Sequence, residues 1–175
     1  MKNKKYSYSN TQVQLPDELR ERFLIESNKL VHNKQLYSAD QGREDNPHIT
    51  LLYGIHSDKP PLELINLIET YPQFPILFGN ISLFKGVDNN NPFDVVKVNI
   101  HCTDLHVLNQ GVRDSVEYTS TYPDYVPHAT IAYVKPDSCD YLDNNPVFKG
   151  LSFICDRILF SSSDGSKREL LLSRR

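Results

Sequence analysis

Apolar and polar residues alternate along several short segments of the chain, a pattern typical of strands that bury one face. We predict strands in the first dozen residues and at 48–55, 76–85, 94–101, 128–134, 153–161 and 169–173. Apolar residues at helical spacing predict three helices, one beginning at Pro16-Asp17, one spanning 62–69 and one running from Thr103 to about 116.

Strands and helices alternate along the chain, but turn-forming residues interrupt the alternation. The segments 88–92 and Asp164-Gly165 each join two predicted strands, so one hairpin lies in the middle of the chain and another at its end. Hairpins argue against a purely parallel sheet. We therefore predict a single α+β domain over residues 1–175, made of two similar halves.

One strand pattern occurs twice with the same chemistry. The segment Pro47-His48-Ile49-Thr50-Leu51-Leu52-Tyr53 recurs as Pro127-His128-Ala129-Thr130-Ile131-Ala132-Tyr133. Because side chains alternate between the two faces of a strand, each histidine shares a face with the threonine two positions later. The same alternation directs Tyr53 and Tyr133 to the opposite face, so we expect both tyrosines in the core.

Two opposed histidine-threonine pairs suit in-line displacement at phosphorus. That reaction needs one group to deprotonate the attacking oxygen and another to protonate the leaving oxygen, and histidine performs both tasks near neutral pH. Threonine hydroxyls can donate to the non-bridging phosphate oxygens. A third H-x-T, His101-Cys102-Thr103, lacks the strand context: Thr103 precedes a predicted helix and is interpreted as its N-cap.

The paired H-x-T strands, in this order of strands and helices, resemble the 2H phosphoesterase superfamily. The resemblance implies a bilobal, pseudo-symmetric fold in which two antiparallel-rich sheets line a central groove and helices lie outside. It also implies phosphodiester cleavage without a metal or other cofactor. The residues that it identifies as catalytic are His48, Thr50, His128 and Thr130.

The resemblance leaves the substrate open, since members act on several classes of nucleotide. Our leading hypothesis is cleavage of a cyclic or oligomeric nucleotide, including the cyclic oligonucleotide immune signals that phage anti-CBASS enzymes destroy. The alternatives are a 2',3'-cyclic phosphodiesterase acting on RNA ends or ADP-ribose cyclic phosphate, and a nucleotide-binding module without catalysis.

Aromatic and basic residues near the motifs are candidates for substrate binding. A nucleobase stacks on aromatic rings, which tyrosines supply because the chain has no tryptophan. Basic side chains in the flanking loops could meet a phosphate. The candidate stacking residues are Tyr6, Tyr8, Tyr122 and Tyr125, and the candidate phosphate cations are Arg43, Lys97, Lys135 and the Lys167-Arg168 pair.

Composition narrows the partners and the compartment. A net charge of -3 over 175 residues gives no general attraction for a long nucleic acid, so we expect a small nucleotide or oligonucleotide. The chain shows no apolar run long enough for a membrane span and no signal-peptide pattern at its basic start, which predicts a cytoplasmic protein. Three cysteines without C-x-x-C spacing predict ordinary thiols, no zinc motif is present, and we treat the protein as a monomer.

Overall fold

The strands of the protein form one continuous sheet in the computed structural model, which describes residues 7–38, 42–87, 91–120 and 122–174. Every strand pair is antiparallel. The strands are β1 (Ser9–Gln14), β2 (His48–Ile55), β3 (Phe74–Phe84), β4 (Asp94–His101), β5 (His128–Val134), β6 (Ser152–Cys155), β7 (Arg157–Ser161) and β8 (Lys167–Leu171). Their order across the sheet is β6-β3-β4-β5-β2-β1-β7-β8.

The sheet divides into the two halves that the sequence predicts. Strands β6, β3, β4 and β5 form one half, and β2, β1, β7 and β8 form the other. The motif strands β2 and β5 join the halves through a narrow contact, with Ile49 paired to Ala129. The sheet is curled into a half-barrel, so the predicted α+β fold of two antiparallel lobes is confirmed, with the two lobe sheets continuous through the motif strands.

Three helices were expected and the described residues contain them: α1 (Asp17–Leu30), α2 (Leu62–Thr70) and α3 (Thr103–Ser115). Helix α1 follows Pro16, and acidic residues in its first turn complement the helix dipole. Helix α3 packs against the reverse face of β2, where Asn109 Nδ2 donates to the Leu51 carbonyl at 2.6 Å. None of these helices has the length and apolar character needed to cross a bilayer.

The segment after His101 differs from the prediction in one detail. His101 ends β4, and Cys102 occupies the N-cap position of α3 without a side-chain capping bond. Thr103 is therefore the first helical residue, and its interpretation as the N-cap was wrong. Cys102 is half-buried and Cys139 and Cys155 are buried, all three as free thiols, as expected.

The segment 153–161 was predicted as one strand, and that prediction was wrong. It contains β6 and β7, which lie in opposite halves of the sheet: β6 pairs with β3, whereas β7 lies between β1 and β8. The chain breaks at Asp156, whose carbonyl accepts from Leu172 N at 2.8 Å and whose carboxylate binds Arg157. Both pieces are apolar enough to appear as a single strand from the hydrophobic pattern alone.

Candidate active site

The two H-x-T pairs lie on adjacent strands at the centre of the sheet. In β2 and β5 the histidines and threonines are half-buried, while Ile49 and Ala129 between them are buried in the core. The antiparallel register around the Ile49–Ala129 pair sets each histidine across from the threonine of the other strand. A local pseudo-twofold axis therefore relates the two pairs on one face of the sheet.

Both imidazoles are oriented by the same backbone contact. His48 Nδ1 donates to the Asn46 carbonyl at 2.9 Å, and His128 Nδ1 donates to the Val126 carbonyl at 2.7 Å. A carbonyl oxygen can only accept, so Nδ1 carries the proton in each ring. Nε2 is thereby left as the nitrogen that accepts a proton in the neutral ring and donates one in the charged ring.

The electrostatic environment of His128 favours its neutral form. Burial is the main cause that lowers the pKa of His128, and the positive charges of Lys97 and His48 lower it further. The hydrogen bond to the Val126 carbonyl acts in the opposite direction. A positive charge on His48 therefore disfavours a positive charge on His128.

A β-bulge follows the threonine in each motif strand. In β2 the register passes from Thr50 to Leu52 and skips Leu51, and in β5 it passes from Thr130 to Ala132 and skips Ile131. Each extra residue reverses the side-chain alternation beyond it, because a bulge sets two residues opposite one. Leu52 and Ala132 are consequently buried, and the tyrosines that follow return to the face of the histidines.

Tyr53 and Tyr133 were expected in the core, and the bulges overturn that expectation. Tyr53 is 49% exposed. Tyr133 is half-buried, and its hydroxyl lies close to the Thr130 side chain. Burial raises the pKa of Tyr133, and the negative charge of Glu44 raises it further. Tyr133 thus remains protonated beside Thr130 at neutral pH.

The flanking strands add polar side chains to the same face. Across from the first motif, β1 pairs Gln12 with Thr50 and Gln14 with His48. Across from the second motif, β4 pairs Lys97 with Thr130 and Asn99 with His128. Cross-strand partners share a face, so all four flanking residues border the two pairs.

The predicted stacking tyrosines fall into different environments. Tyr8 stacks on His56 at 5.5 Å and meets Tyr53 edge-on at 6.1 Å, so it lies beside a tyrosine of the histidine face. Tyr122 is exposed and lies near Tyr133. Both positions are compatible with substrate binding, while Tyr6 lies outside the described residues.

Tyr125 occupies a different position from the one expected of a stacking residue. Its hydroxyl donates to the Thr50 carbonyl at 3.0 Å, and its ring packs against the core and meets His106 at 5.4 Å. Burial raises the pKa of Tyr125. This tyrosine holds the backbone of the first motif instead of offering an open ring face.

The two loop cations expected to bind phosphate are engaged elsewhere. Arg43 donates to the carbonyls of Ser27 at 2.9 Å and Val31 at 2.6 Å. Its guanidinium thereby caps the C-terminal end of α1. Lys135 Nζ donates to the Lys34 carbonyl at 2.8 Å. Both side chains therefore have a structural role in binding backbone carbonyls. These contacts differ from the phosphate binding that was predicted for them.

A cluster of three carboxylates in the described residues lies away from the motif pairs and already holds a cation. Asp94, Asp137 and Asp140 converge on Lys85 Nζ, which lies 2.7, 2.7 and 2.6 Å from their oxygens. The ammonium of Lys85 donates one hydrogen bond to each carboxylate, so the cluster serves as an ion-pair network between the end of β3, the start of β4 and the segment after β5.

A curled antiparallel sheet whose two central strands each carry an H-x-T pair defines the class of 2H phosphoesterases. The family model described as "2'-5' RNA ligase superfamily" matches residues 15–166. The chain belongs to this superfamily, whose members act as phosphodiesterases on nucleotides. No curated protein sequence matches the chain.

Solved structures agree with this fold at low sequence identity. LigT of E. coli is 19% identical with a TM-score of 0.63, the match covering 98% of this chain and 97% of LigT. TT0787 of Thermus thermophilus is 16% identical with a TM-score of 0.62 and 95% coverage of each chain. Usb1 of Kluyveromyces marxianus is 12% identical with a TM-score of 0.63, the match covering 95% of this chain and 99% of Usb1. LigT has also been solved with 3'-AMP, and Usb1 with uridine monophosphate.

Proposed function

We propose that the protein is a metal-independent phosphodiesterase in which His48 and His128 perform the two proton transfers. The observation that carries this proposal is the matched orientation of the two rings, each with Nδ1 bound to the carbonyl two residues earlier. Both rings therefore present Nε2 as the reactive nitrogen, and both lie on the same face of the two motif strands. Binding alone would not require two opposed acid-base groups.

The reaction proceeds by exchange of two bonds at phosphorus. One neutral imidazole takes a proton from the attacking hydroxyl, supplied by water or a ribose 2'-hydroxyl, as the new P–O bond forms. The other, protonated imidazole gives its Nε2 proton to the leaving oxygen as the old P–O bond breaks. Two histidines complete the proton balance, so the scheme requires no metal-bound water.

The threonines act on the non-bridging oxygens. Thr50 and Thr130 are stiff at χ1 and lie across from the opposite histidine, so their hydroxyls can donate to the phosphoryl oxygens as charge develops. The contact of Tyr133 with Thr130 supports this orientation on one side. The backbone of Thr50 is held by Tyr125 on the other.

The substrate class is a small nucleotide phosphodiester. Tyr8, Tyr53 and Tyr122 provide rings on or beside the face of the histidines, and Lys97 provides one buried positive charge. The nucleotide complexes of LigT and Usb1 are consistent with this choice. Cyclic oligonucleotides and 2',3'-cyclic phosphates at RNA ends both satisfy these requirements, and turnover distinguishes them.

The proposal predicts turnover of at least one ribonucleotide diester in the presence of EDTA. The full chain is incubated with 2',3'-cyclic mononucleotides, ADP-ribose cyclic phosphate, 2',5'-oligoadenylate and cyclic di- and trinucleotides, and the products are separated by chromatography. His101→Ala is the matched control, since it removes the histidine of the third H-x-T and should retain turnover. Loss of activity on chelation would contradict the metal-free scheme, and tight binding without turnover across the panel would identify a binding module.

A further inference from the structure

The pseudo-twofold symmetry of the site is broken by one charge. Gln12 lies across from Thr50, whereas the equivalent residue across from Thr130 is Lys97. The next pair outward is uncharged on both sides, with Gln14 beside His48 and Asn99 beside His128. One histidine-threonine pair therefore has a neutral neighbour and the other has a cation.

Lys97 is fixed in place by the protein itself. Lys97 is only 4% exposed. Its Nζ donates to Ser82 Oγ at 2.7 Å and to Asn99 Oδ1 at 2.8 Å. The ammonium also lies 4.2 Å from the centre of the Phe84 ring, a cation–π contact. The same Phe84 ring meets His128 edge-on at 5.1 Å. The charge is thus held beside His128 before any substrate arrives.

The charges that act on this side of the site are few. His128 is influenced by Lys97 from β4 and by His48 from β2, and Phe84 of β3 adds no charge. Burial lowers the pKa of Lys97, and the negative charge of the Asp143 carboxylate acts in the opposite direction. The fixed positive charge of Lys97 therefore disfavours protonation of His128.

We propose that Lys97 is a positioning residue whose fixed positive charge makes His128 the proton acceptor and leaves His48 as the proton donor. This assignment rests on the two-histidine function proposed above and gives it a direction. His128 Nε2 takes the proton of the attacking water or 2'-hydroxyl while the new P–O bond forms. His48 Nε2 gives its proton to the leaving oxygen while the scissile P–O bond breaks.

A change of leaving group tests which histidine is the donor. The probes are uridylyl-(3',5')-uridine and uridine 3'-(4-nitrophenyl phosphate), since 4-nitrophenolate departs without receiving a proton. On the nitrophenyl ester, His48→Ala should recover to within about tenfold of the wild-type rate, while His128→Ala keeps its loss of about 10²- to 10⁴-fold. Recovery of His128→Ala in place of His48→Ala would overturn the assignment.

A second measurement does not depend on turnover. The ring C–H signals of His48 and His128 are titrated by NMR in the wild type, Lys97→Met and Lys59→Met. The Lys59→Met variant removes an equal charge at an exposed position in the loop between β2 and α2. Lys97→Met should raise the midpoint of His128 by about 0.5–1 pH unit, because a nearby positive charge has been removed. Lys59→Met should leave it unchanged.

The two measurements separate the possible failures. An unchanged His128 midpoint in folded Lys97→Met would overturn the role of Lys97 even if the enzyme is active. A raised midpoint together with no wild-type turnover of any nucleotide diester would support the charge effect and reject the phosphodiesterase function. Folding of Lys97→Met is checked from its amide spectrum, and the leaving-group experiment tests the donor assignment with Lys97 intact.

Discussion

Alanine at either His48 or His128 is expected to lower kcat/KM by about 10²- to 10⁴-fold, the usual contribution of a general acid or base. Each substitution removes one of the two proton transfers and leaves the other histidine without its counterpart. The reverse face of each strand carries the packing, through residues such as Ile49 and Ala129, so the fold should survive. Steady-state rates on the substrate identified in the EDTA panel give the measurement.

The double variant sharpens this prediction. If the two histidines act as one unit, the variant that carries both His48→Ala and His128→Ala should lose little more activity than the worse single variant. The reason is that removing either histidine already disables the concerted step. His56→Ala is a suitable comparison: its ring stacks on Tyr8 outside the motif and should change KM more than kcat. A single-histidine variant that retains wild-type kcat/KM would contradict the mechanism.

The largest expected effect on stability comes from Asp94→Asn, which should lower the free energy of unfolding by about 3 kcal/mol. Asp94 is 1% exposed, and its carboxylate accepts from Lys85 Nζ at 2.7 Å, Gly86 N at 2.8 Å and Asp137 N at 2.9 Å. An asparagine cannot accept all three hydrogen bonds and leaves Lys85 without its buried partner. Urea unfolding at neutral pH measures the loss.

Asp140→Asn is the matched control, since its carboxylate contacts the same ammonium but its side chain is 57% exposed. It should cost less than about 1 kcal/mol. Equal losses in the two variants would contradict the central role of Asp94.

The stability difference between the wild type and Asp94→Asn should also depend on pH. Burial works to raise the pKa of Asp94, but hydrogen bonds from Lys85 and two backbone N–H groups outweigh it, so the pKa lies below its usual value. The contribution is present in full above the unfolded-state pKa of about 4 and is lost as pH falls through the lower folded-state pKa. The two proteins should therefore converge in strongly acidic solution.

The sequence was sufficient for the fold class and for placing both motifs on strands. The repeated frame around His48 and His128 carried the apolar alternation of two strands, and the structure sets those strands side by side. Pro16 and the acidic residues after it located the start of α1, because these residues act through local backbone chemistry. Most features that depend on neighbouring residues could be predicted, with the N-cap of α3 and the strand break at Asp156 as the exceptions.

Features that depend on contacts distant in the chain could not be predicted. The bulges at Leu51 and Ile131 turn Tyr53 and Tyr133 toward the histidines, and a strict two-residue period has no means of indicating an inserted residue. The buried Asn109 donates to the Leu51 carbonyl from another element, a contact visible only in three dimensions. The recurrence of tyrosine in both motif copies was the available signal, and it was assigned to the core.

The basic residues illustrate the same limit. Arg43 and Lys135 were chosen because they lie near the motifs in sequence, yet both bind backbone carbonyls around the C-terminal end of α1. Lys97 came from the same group of candidates, and only the cross-strand pairing with Thr130 distinguishes it from the other cations. The pairing register between β4 and β5 therefore determines that Lys97 lies beside the second H-x-T pair.

The assignment of one proton transfer to each of two histidines is tested most directly by the pH dependence of kcat/KM. A two-histidine mechanism predicts a bell-shaped profile for the wild type between about pH 5 and 8, as one neutral and one protonated imidazole require. The ascending limb should disappear in His128→Ala and the descending limb in His48→Ala. A wild-type profile that is flat over this range, or that keeps both limbs in both variants, would contradict it.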